Sequence, residues 1–324
     1  MKLRRGMGLT ARIGLVAIVL TGLTTAPINA AERGLAISPF YSEISLKATD
    51  QTVPYTVTLS NYSDTDQAFK LSVVDFGSLD EEGGVAFLGQ AAHELEHKYG
   101  LAAWMTLEQP DVTVAAGKSV NVTTVIQNRD NLAPGGHYGA VLATALTDGA
   151  AGEKQPRVGI KQVLSSLILL AKAGDSRISL RVVSQTTDAL WWRLPTKVEH
   201  RFENQGNVHG VPRGIVQIID PVGKVVRRGA INEGSGAVLP GSFRKYRAAL
   251  NTLAPAWLPG PYRVVTEYRA DGSDDIKRQE SHFWYAGALV LWVVSLGGFI
   301  LAGLLGWWLR RSLQRRLGRH TMSA

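Results

Sequence analysis

The sequence predicts an all-β protein of two tandem immunoglobulin-like β-sandwich modules, followed by one C-terminal transmembrane α-helix. Three observations support this fold class. Short segments rich in Val, Thr, Tyr and Leu alternate with turn-forming residues over most of the chain. The turn residues recur in the same order in two halves of that region. Near the end, residues 286–309 carry no charge and are followed by a basic tail.

Residues 1–30 have the layout of a secretory signal peptide. Four basic residues precede an apolar segment, residues 13–23, and Ala30 provides a small residue at the expected cleavage point. An uncleaved N-terminal anchor is the alternative, although an apolar segment of this length is short for spanning a bilayer. Both interpretations place the middle of the chain outside the cytoplasm.

The first immunoglobulin-like module is predicted over residues 31–172. The alternation of Tyr55, Val57 and Leu59 with threonines places one face of a strand in a core and the other towards water. Turns rich in Gly, Pro, Asn and Asp separate the strands at intervals that suit a β-sandwich. The predicted strands are 35–40, 55–59, 69–74, 112–114, 120–126, 138–144 and the nearly continuous apolar segment 163–171.

The second immunoglobulin-like module is predicted over residues 173–285, beginning with a short linker. The same alternation of β-rich segments and turns starts again after it. The predicted strands are 178–183, 198–202, 214–220, 224–227, 243–250, 262–268 and 280–284.

The two modules share a series of landmarks in the same order: an Asn after a strand, a Gly in a turn, and a second Gly before a strand that carries Tyr. They are Asn61, Gly117, Gly135 and Tyr138 in the first module, and Asn204, Gly241, Gly260 and Tyr262 in the second. The two glycines are 18 residues apart in the first and 19 in the second, which indicates a shared structural unit. The alternative is that β-proteins in general repeat such turns.

The first module carries an insertion of 19 residues, because its Asn-to-Gly spacing is 56 residues whereas that of the second module is 37. We place the insertion near residues 85–103 and predict a short surface helix in it. The insertion contains His93, Glu94 and His97, which match the H-E-x-x-H pattern of zinc metalloproteases. On a helix the two histidines would share one face and could bind Zn²⁺, with the glutamate as general base.

The metal site is the weaker hypothesis for this motif. The third histidine of the extended pattern would fall at Ala103, and the insertion is too short for the buried helix and substrate cleft that such enzymes need. We therefore predict no catalytic residues, no bound metal and no cofactor, and keep a membrane-tethered zinc metallohydrolase as the alternative.

Two histidines and a pair of tryptophans in the modules are further candidate functional residues. His137 and His209 are interpreted as structural turn residues. Trp191 and Trp192 open the second module and suit either core or interdomain packing, or an exposed aromatic platform for sugar.

The apolar segment 286–309 is long enough to cross a bilayer, since ~20 apolar residues span ~30 Å of hydrocarbon. Arg310 and Arg311 begin a basic tail, residues 310–324, that the positive-inside rule keeps in the cytoplasm. The sequence therefore predicts a single-pass protein of the cell membrane whose ectodomain lies outside the cytoplasm.

One face of the predicted membrane helix carries the small residues Gly298, Ala302 and Gly306. Such a stripe suits close pairing of two helices, either in a dimer or in a larger membrane complex. The alternative is that glycine is common in membrane helices in general.

The charge distribution argues against a nucleic-acid partner. The net charge is +8, but nine of the 35 basic residues lie in residues 1–30 and 310–324, which contain no acidic residue. The ectodomain therefore has 26 basic and 27 acidic residues, and no excess to attract phosphate. The absence of cysteine excludes disulfides and thiol chemistry.

The whole layout resembles the WxL-interacting proteins of Gram-positive bacteria. The segments that carry the resemblance are Leu35 to Pro39, Val57 to Asp64, the Gly83-Gly84 turn, Trp104 and the turn from Pro134 to Gly139. The resemblance implies a first module that binds peptidoglycan and a second that binds a protein partner. We therefore expect a non-enzymatic, membrane-anchored surface protein that binds cell-wall glycan, other surface proteins or both.

Overall fold

The computed structural model of the chain describes residues 34–89, 98–146 and 162–320. The predicted signal peptide, residues 1–30, lies outside the described residues. The H-E-x-x-H motif with His93, Glu94 and His97 lies outside them as well.

The first β-sandwich is built from two sheets. A four-stranded sheet has the order β1-β3-β8-β6, and a six-stranded sheet has the order β2-β10-β9-β4-β5, with β7 also paired to β4. The strands are β1 (Leu35–Ser38), β2 (Tyr41–Leu46), β3 (Thr52–Asn61), β4 (Gln67–Ser78), β5 (Val85–Gly89), β6 (Met105–Leu107), β7 (Asp111–Val114), β8 (Ser119–Gln127), β9 (Gly135–Leu146) and β10 (Val163–Lys172).

The chain changes sheets between β1 and β2. The first of these strands pairs antiparallel with β3, whereas the second pairs parallel with β10. Pro39 lies between them and has no N–H to donate to a ladder, which explains why pairing is interrupted there. The single strand predicted at residues 35–40 is therefore wrong in its extent, and β2 was not predicted.

The second β-sandwich consists of a three-stranded sheet with the order β11-β12-β15 and a five-stranded sheet with the order β16-β14-β13-β17-β18. Its strands are β11 (Leu180–Thr187), β12 (Lys197–Asn204), β13 (Pro212–Ile219), β14 (Val225–Ile231), β15 (Phe243–Ala249), β16 (Asn251–Thr252), β17 (Gly260–Ala270) and β18 (Lys277–Tyr285). Among the described residues, no strand pairs between the two sandwiches.

Each sandwich has its own apolar core, made by side chains that alternate along the strands. The alternation in β3 buries Tyr55, Val57 and Leu59, as the sequence predicts. In the second sandwich, Phe202 packs edge-to-face against Tyr268 with the ring centroids 5.1 Å apart. With no cysteine in the chain, apolar burial and backbone pairing hold both sandwiches.

The two asparagines predicted as equivalent landmarks make equivalent hydrogen bonds. The side-chain amide of Asn61 donates to Thr65 O and Val114 O, at 2.8 and 3.0 Å. That of Asn204 donates to Val208 O and Val238 O, at 2.7 and 2.9 Å. Both side chains are buried and link the end of a strand to a distant segment. A buried asparagine that donates to two backbone carbonyl groups is therefore present at the same place in both halves.

The glycine landmarks also correspond. Gly117 and Gly241 have φ angles of 66° and 67°, in the left-handed region that favours glycine. Tyr138 and Tyr262, which follow the second glycine of each half, are both almost completely buried, but they do not correspond: Tyr138 lies on the face of its sheet that points away from the first core, whereas Tyr262 lies in the second core. Tyr138 is three residues after its glycine and Tyr262 two, and a shift of one residue turns a side chain to the other face of a strand.

The C-terminal helix α1 (Gly287–His320) leaves the second sandwich directly after β18. Its segment Trp292–Ser312 is long and apolar enough to cross a membrane, by length and composition. The helix continues beyond the predicted end at residue 309 into the basic tail, because Arg, Leu and Gln favour helix as strongly as the apolar residues do.

The ends of the predicted insertion differ from the expected helix. Residues 85–89 form β5, which pairs with β4, and Ala102–Trp104 is a short 3-10 helix. The pattern at Val85, Phe87 and Leu88 is that of a strand added to the edge of a sheet. The middle of the insertion, residues 90–97, lies outside the described residues.

Candidate binding site between the two sandwiches

The six-stranded sheet of the first sandwich is apolar on both faces. One face fills the core, and the other, here called the outer face, carries the cluster Val74, Phe76, Tyr138, Ala140 and Leu169. In β10 the neighbours Ile168 and Leu170 point into the core while Leu169 points to the outer face. A strand that is buried on both sides has a continuous apolar sequence, which explains the nearly unbroken segment 163–171.

The second sandwich covers only part of the outer face. Ala237 and Leu239, in the loop between β14 and β15, pack against the cluster. Beside this contact a cavity of about 370 Å³ remains between the two sandwiches. We call this space the cleft. Its apolar walls are Phe40, Tyr41, Phe76, Val85, Leu167, Leu169, Leu239 and Phe243.

The backbone of small residues forms the remaining walls of the cleft. Gly77, Ser78, Gly83 and Gly84 lie in the β4–β5 hairpin, and residues 234–236 lie in the loop of the second sandwich. Small residues leave room between the two sandwiches and expose backbone groups to a ligand.

Arg244 supplies the charged side chain of the cleft. Its guanidinium donates to Ala237 O at 2.9 Å and packs beside Gly83, where a Cβ atom would overlap with it. Asp80 lies close to it in the hairpin and accepts hydrogen bonds from the N–H groups of Gly84 and Glu82, both at 2.9 Å. These backbone bonds, led by that of Gly84 and aided by Arg244, lower the pKa of Asp80.

The two sandwiches also touch at a contact centred on Tyr138, on the outer face of the six-stranded sheet. The backbone N–H of His209 donates to Tyr138 Oη at 2.9 Å, and the two rings pack edge-to-face with centroids 5.7 Å apart. The N–H of Gly136 donates to Asn207 O at 2.7 Å. Burial raises the pKa of Tyr138, so the phenol stays neutral.

Beside the cleft, ion pairs join the β4–β5 hairpin to the second sandwich. Glu81 accepts from Nη2 and Nε of Arg201 at 2.6 and 2.9 Å, and Lys245 Nζ lies 3.5 Å from the same carboxylate. The N–H of Lys245 also donates to Glu81 O at 2.6 Å. Glu82 pairs with Arg247 at 3.0 Å. The acidic hairpin is therefore held by basic side chains of β12 and β15.

A second, more polar cavity of about 520 Å³ lies along the edge of β2. Tyr41 donates a hydrogen bond to the carboxylate of Glu43 there, and burial together with Glu43 raises the pKa of Tyr41. Across this cavity His209 has a lowered pKa, because burial disfavours its charged form more than Glu43 favours it. Tyr41 also lines the cleft, so the two cavities adjoin the same side chain.

His137 and His200 have structural surroundings. His137 lies inside β9 rather than in the predicted turn, with its ring nitrogens 3.0 Å from Gly100 O and 2.8 Å from Ala133 O. His200 is buried in the second core beside Thr266 Oγ1 at 2.8 Å. Within the parts of the chain that the structure describes, no three His, Asp or Glu side chains are grouped as they would be around a metal ion.

Sequence reasoning did not identify the cleft. Its walls come from β2, the β4–β5 hairpin, β10 and the loop between β14 and β15, which are far apart in sequence. The one available signal was the nearly unbroken apolar segment 163–171, since a strand with apolar residues on both faces must be covered by other residues on both sides.

Trp191 and Trp192, the aromatic pair singled out from the sequence, are not at the cleft. They are half exposed at the opposite end of the second sandwich, so the prediction of core or interdomain packing for them is wrong.

No protein-family model matches the sequence, and no curated protein matches it. Solved structures similar to this chain include three bacterial chaperone structures. The class 5 fimbriae chaperone CfaA is 13% identical, with 78% of this chain and 99% of that chain covered and a TM-score of 0.41. The E. coli chaperone DraB is 12% identical, with 76% and 95% covered and a TM-score of 0.37. The complex of the Salmonella enterica SafA pilin with the SafB chaperone contains a chain that is 11% identical, with 78% and 96% covered and a TM-score of 0.38.

Proposed function

We propose that this protein is a non-enzymatic binding protein, anchored in the cell membrane, that holds an apolar segment of another exported protein in the cleft between its two sandwiches. The observation that carries the proposal is the partly covered outer face of the six-stranded sheet. Its apolar side chains form the wall of a cavity of about 370 Å³ that the second sandwich leaves open. Pockets of this size, apolar with a few polar groups at their rim, are typical of binding sites.

The chemistry of the cleft favours a protein segment over a sugar. Its side walls are Leu, Val and Phe, and its polar groups are hydroxyls, backbone groups and the guanidinium of Arg244. Glycan sites need many hydrogen-bonding side chains to replace the water around sugar hydroxyls, since an unpaired polar group is costly to bury. An apolar side chain that enters the cleft loses only water, and the exposed backbone at the rim can pair with a peptide.

Two contacts between the sandwiches support binding without large rearrangement. The contact between Tyr138 and His209 and the ion pairs of Glu81 join the two sandwiches at separate points. A site that is held open before the ligand arrives loses less conformational entropy on binding.

The proposal is tested by photo-crosslinking in cells from a benzoylphenylalanine at Phe40, which is 75% exposed at the mouth of the cleft. The matched control carries the same photoprobe at Tyr62, an exposed site at the far end of the first sandwich. We expect adducts from position 40 whose partner peptides are apolar. We also expect that Ser78→Trp, which narrows the cleft, lowers their yield several-fold. Equal yields from both positions, or no effect of Ser78→Trp, would reject the proposal.

Cell-wall glycan is a second candidate partner, and it rests on the resemblance in the sequence. It predicts that the full-length protein in detergent is retained by insoluble peptidoglycan at low salt. Retention that Ser78→Trp leaves unchanged would assign the glycan to a surface other than the cleft. Absence of retention removes the glycan as a partner.

A further inference from the structure

We propose that the end of the second sandwich from which α1 emerges is a membrane-docking surface, whose loops lie in the headgroup layer of the bilayer around the helix. We call this end the base. The inference rests on the membrane anchoring in the proposed function, but it concerns a surface and a ligand class, a lipid interface with anionic headgroups, that the cleft does not involve.

Three loops form the base, and each is tied to the start of the helix or to a neighbouring loop. The N–H of Ala286 donates to Trp191 O at 2.7 Å, which joins the loop between β11 and β12 to the helix start. A Cβ atom on Gly287 would lie 2.7 Å from Trp257 O, so the loop before β17 packs against the same point. The turn between β13 and β14 lies beside them, since a Cβ on Gly260 would be 2.9 Å from Pro221.

The exposed apolar side chains of the second sandwich are concentrated at the base. Of the ten large apolar side chains exposed between residues 173 and 285, eight lie in these three loops or at the end of β18. The prominent ones are Trp191, Trp192, Val222, Leu253, Trp257 and Trp284. A soluble domain rarely gathers its exposed aromatic residues at one end, and such a patch marks an interaction surface.

Tryptophan is the residue expected where a protein meets the headgroup layer, because its ring is apolar and its N–H is polar. The charges of the base fit the same environment. Lys197, Lys224 and Arg228 are exposed there. The two carboxylates of these loops are turned inward: Asp188 accepts from Thr196 N at 2.8 Å and Asp220 accepts from Lys224 N at 2.8 Å. The outward charge is therefore basic, which favours anionic lipid.

The apolar sequence of the helix reaches the base without a polar spacer. Residues 286–309 carry no charge, so the apolar stretch begins at the residues that the loops of the base contact. About 20 helical residues span ~30 Å of hydrocarbon, so a span within this stretch begins at most about four residues, or about 6 Å of helix, after residue 286. The headgroup layer is about 5–8 Å thick, so the loops that touch residues 286 and 287 lie at its depth.

The helix starts in direct contact with the base. Gly287 has a φ of 76° and is packed against the loop with Trp257, so a side chain at this position would not fit between the helix start and that loop. A docked base would hold the second sandwich upright on the membrane and direct the cleft, at the other end of this sandwich, away from the lipid.

The experiment uses the full-length chain, which has no native cysteine, at one chain per lipid nanodisc that contains phosphatidylglycerol and phosphatidylcholine. A nitroxide label is attached in turn to Val222→Cys and Trp257→Cys at the base. The matched control is Ile276→Cys, an exposed apolar site at the opposite end of the same sandwich, and Phe299→Cys reports on the spanning segment. Collision rates with oxygen and with a water-soluble nickel chelate are measured by electron paramagnetic resonance.

We expect nickel accessibility at both base positions to be at least fivefold lower than at Ile276→Cys, and oxygen accessibility to be intermediate between those of the control and Phe299→Cys. Base labels as accessible to nickel as the control, with Phe299→Cys shielded, would overturn the docking while leaving the anchor intact. Nickel access at Phe299→Cys would instead reject the anchor itself. Shielding of the base that appears only with two chains per disc would assign this surface to self-association and overturn the inference.

Discussion

The phenol oxygen of Tyr138, in the first sandwich, accepts a hydrogen bond from the backbone N–H of His209 in the second, over 2.9 Å. Both residues are buried, and the same ring contacts Phe76 on the outer face of the six-stranded sheet with centroids 5.8 Å apart. One side chain therefore joins the wall of the cleft to the second sandwich.

Replacement of this phenol should weaken the connection between the sandwiches. In Tyr138→Phe the ring is kept, but the N–H of His209 is left buried without its acceptor, which costs about 1–3 kcal/mol. We expect a lower free energy of unfolding in urea for the full-length protein in detergent. The control Tyr62→Phe alters an exposed phenol and should change the free energy by less than about 0.5 kcal/mol. Equal values for the two variants would contradict the assignment.

The ion pair of Glu81 with Arg201 should restrict motion of the two sandwiches. In Glu81→Gln the carboxylate that faces Arg201 and Lys245 is lost. We expect a broader distance distribution between spin labels at Tyr62→Cys and Ile276→Cys, measured by double electron–electron resonance. Glu203→Gln breaks an ion pair with Arg181 inside the second sandwich and should leave the distribution unchanged. A narrow distribution in Glu81→Gln would show that other contacts suffice.

The same pair predicts the response of the cleft to acid. The hydrogen bond from Arg201, with the charges of Arg201 and Lys245, lowers the pKa of Glu81. The contribution of the Glu81 carboxylate to holding the two sandwiches together is therefore complete above the ordinary pKa of a glutamate. It is lost as the pH falls through the lowered pKa of Glu81. The wild-type distance distribution should stay narrow at the ordinary glutamate pKa and broaden only at lower pH. Broadening at higher pH would contradict this.

His200 should make the second sandwich sensitive to mild acid. Burial lowers its pKa to about 4, so the unfolded chain binds a proton that the folded chain does not bind between that value and ~6.5. Stability contributed by the neutral ring is present at pH 7 and falls by about 2–3 kcal/mol towards pH 4. In His200→Gln this part of the pH dependence should disappear from urea unfolding curves, whereas His282→Gln, at an exposed position, should retain it.

Asp188 should order the loop that carries Trp191 and Trp192. Its carboxylate accepts from Thr196 N, Thr196 Oγ1 and Lys197 N, at 2.8, 2.6 and 3.1 Å. Although burial opposes it, these bonds lower the pKa of Asp188. In Asp188→Ala we expect faster amide hydrogen exchange over residues 188–197, corresponding to about 1 kcal/mol of local opening. Asp271→Ala, which removes an exposed ion pair with Arg213, should leave that segment unchanged.

The H-E-x-x-H motif should not bind a stoichiometric metal. His93, Glu94 and His97 lie outside the described residues, so the expectation rests on the short insertion and on the missing third ligand at Ala103. Elemental analysis of the purified protein should show well under one zinc per chain, and His97→Ala should not change the unfolding curve with or without added zinc. One equivalent of zinc that His97→Ala removes would revive the metallohydrolase hypothesis.

Local patterns were sufficient for much of the fold. The alternation around Val57 and the turn residues Gly117 and Gly241 depend on neighbours along the chain, and the structure has them as predicted. The predictions were wrong where a local sequence pattern was compatible with two different secondary structures. The segment before Phe40 divides into two strands at Pro39, and residues 85–89 pair with β4 as a strand instead of beginning a helix.

The sequence by itself determined the two β-sandwiches and an apolar C-terminal segment of spanning length, because side-chain periodicity and turn chemistry act within a few residues. Only the tertiary structure decided where surfaces are left open. Glu81 and Arg201 are 120 residues apart in the chain and meet in an ion pair beside the cleft. The cleft itself exists because two separately packed sandwiches dock with imperfect coverage. The cluster of Trp191 and Trp257 around the helix start has the same origin, since loops that are distant in sequence meet at one end of a sandwich.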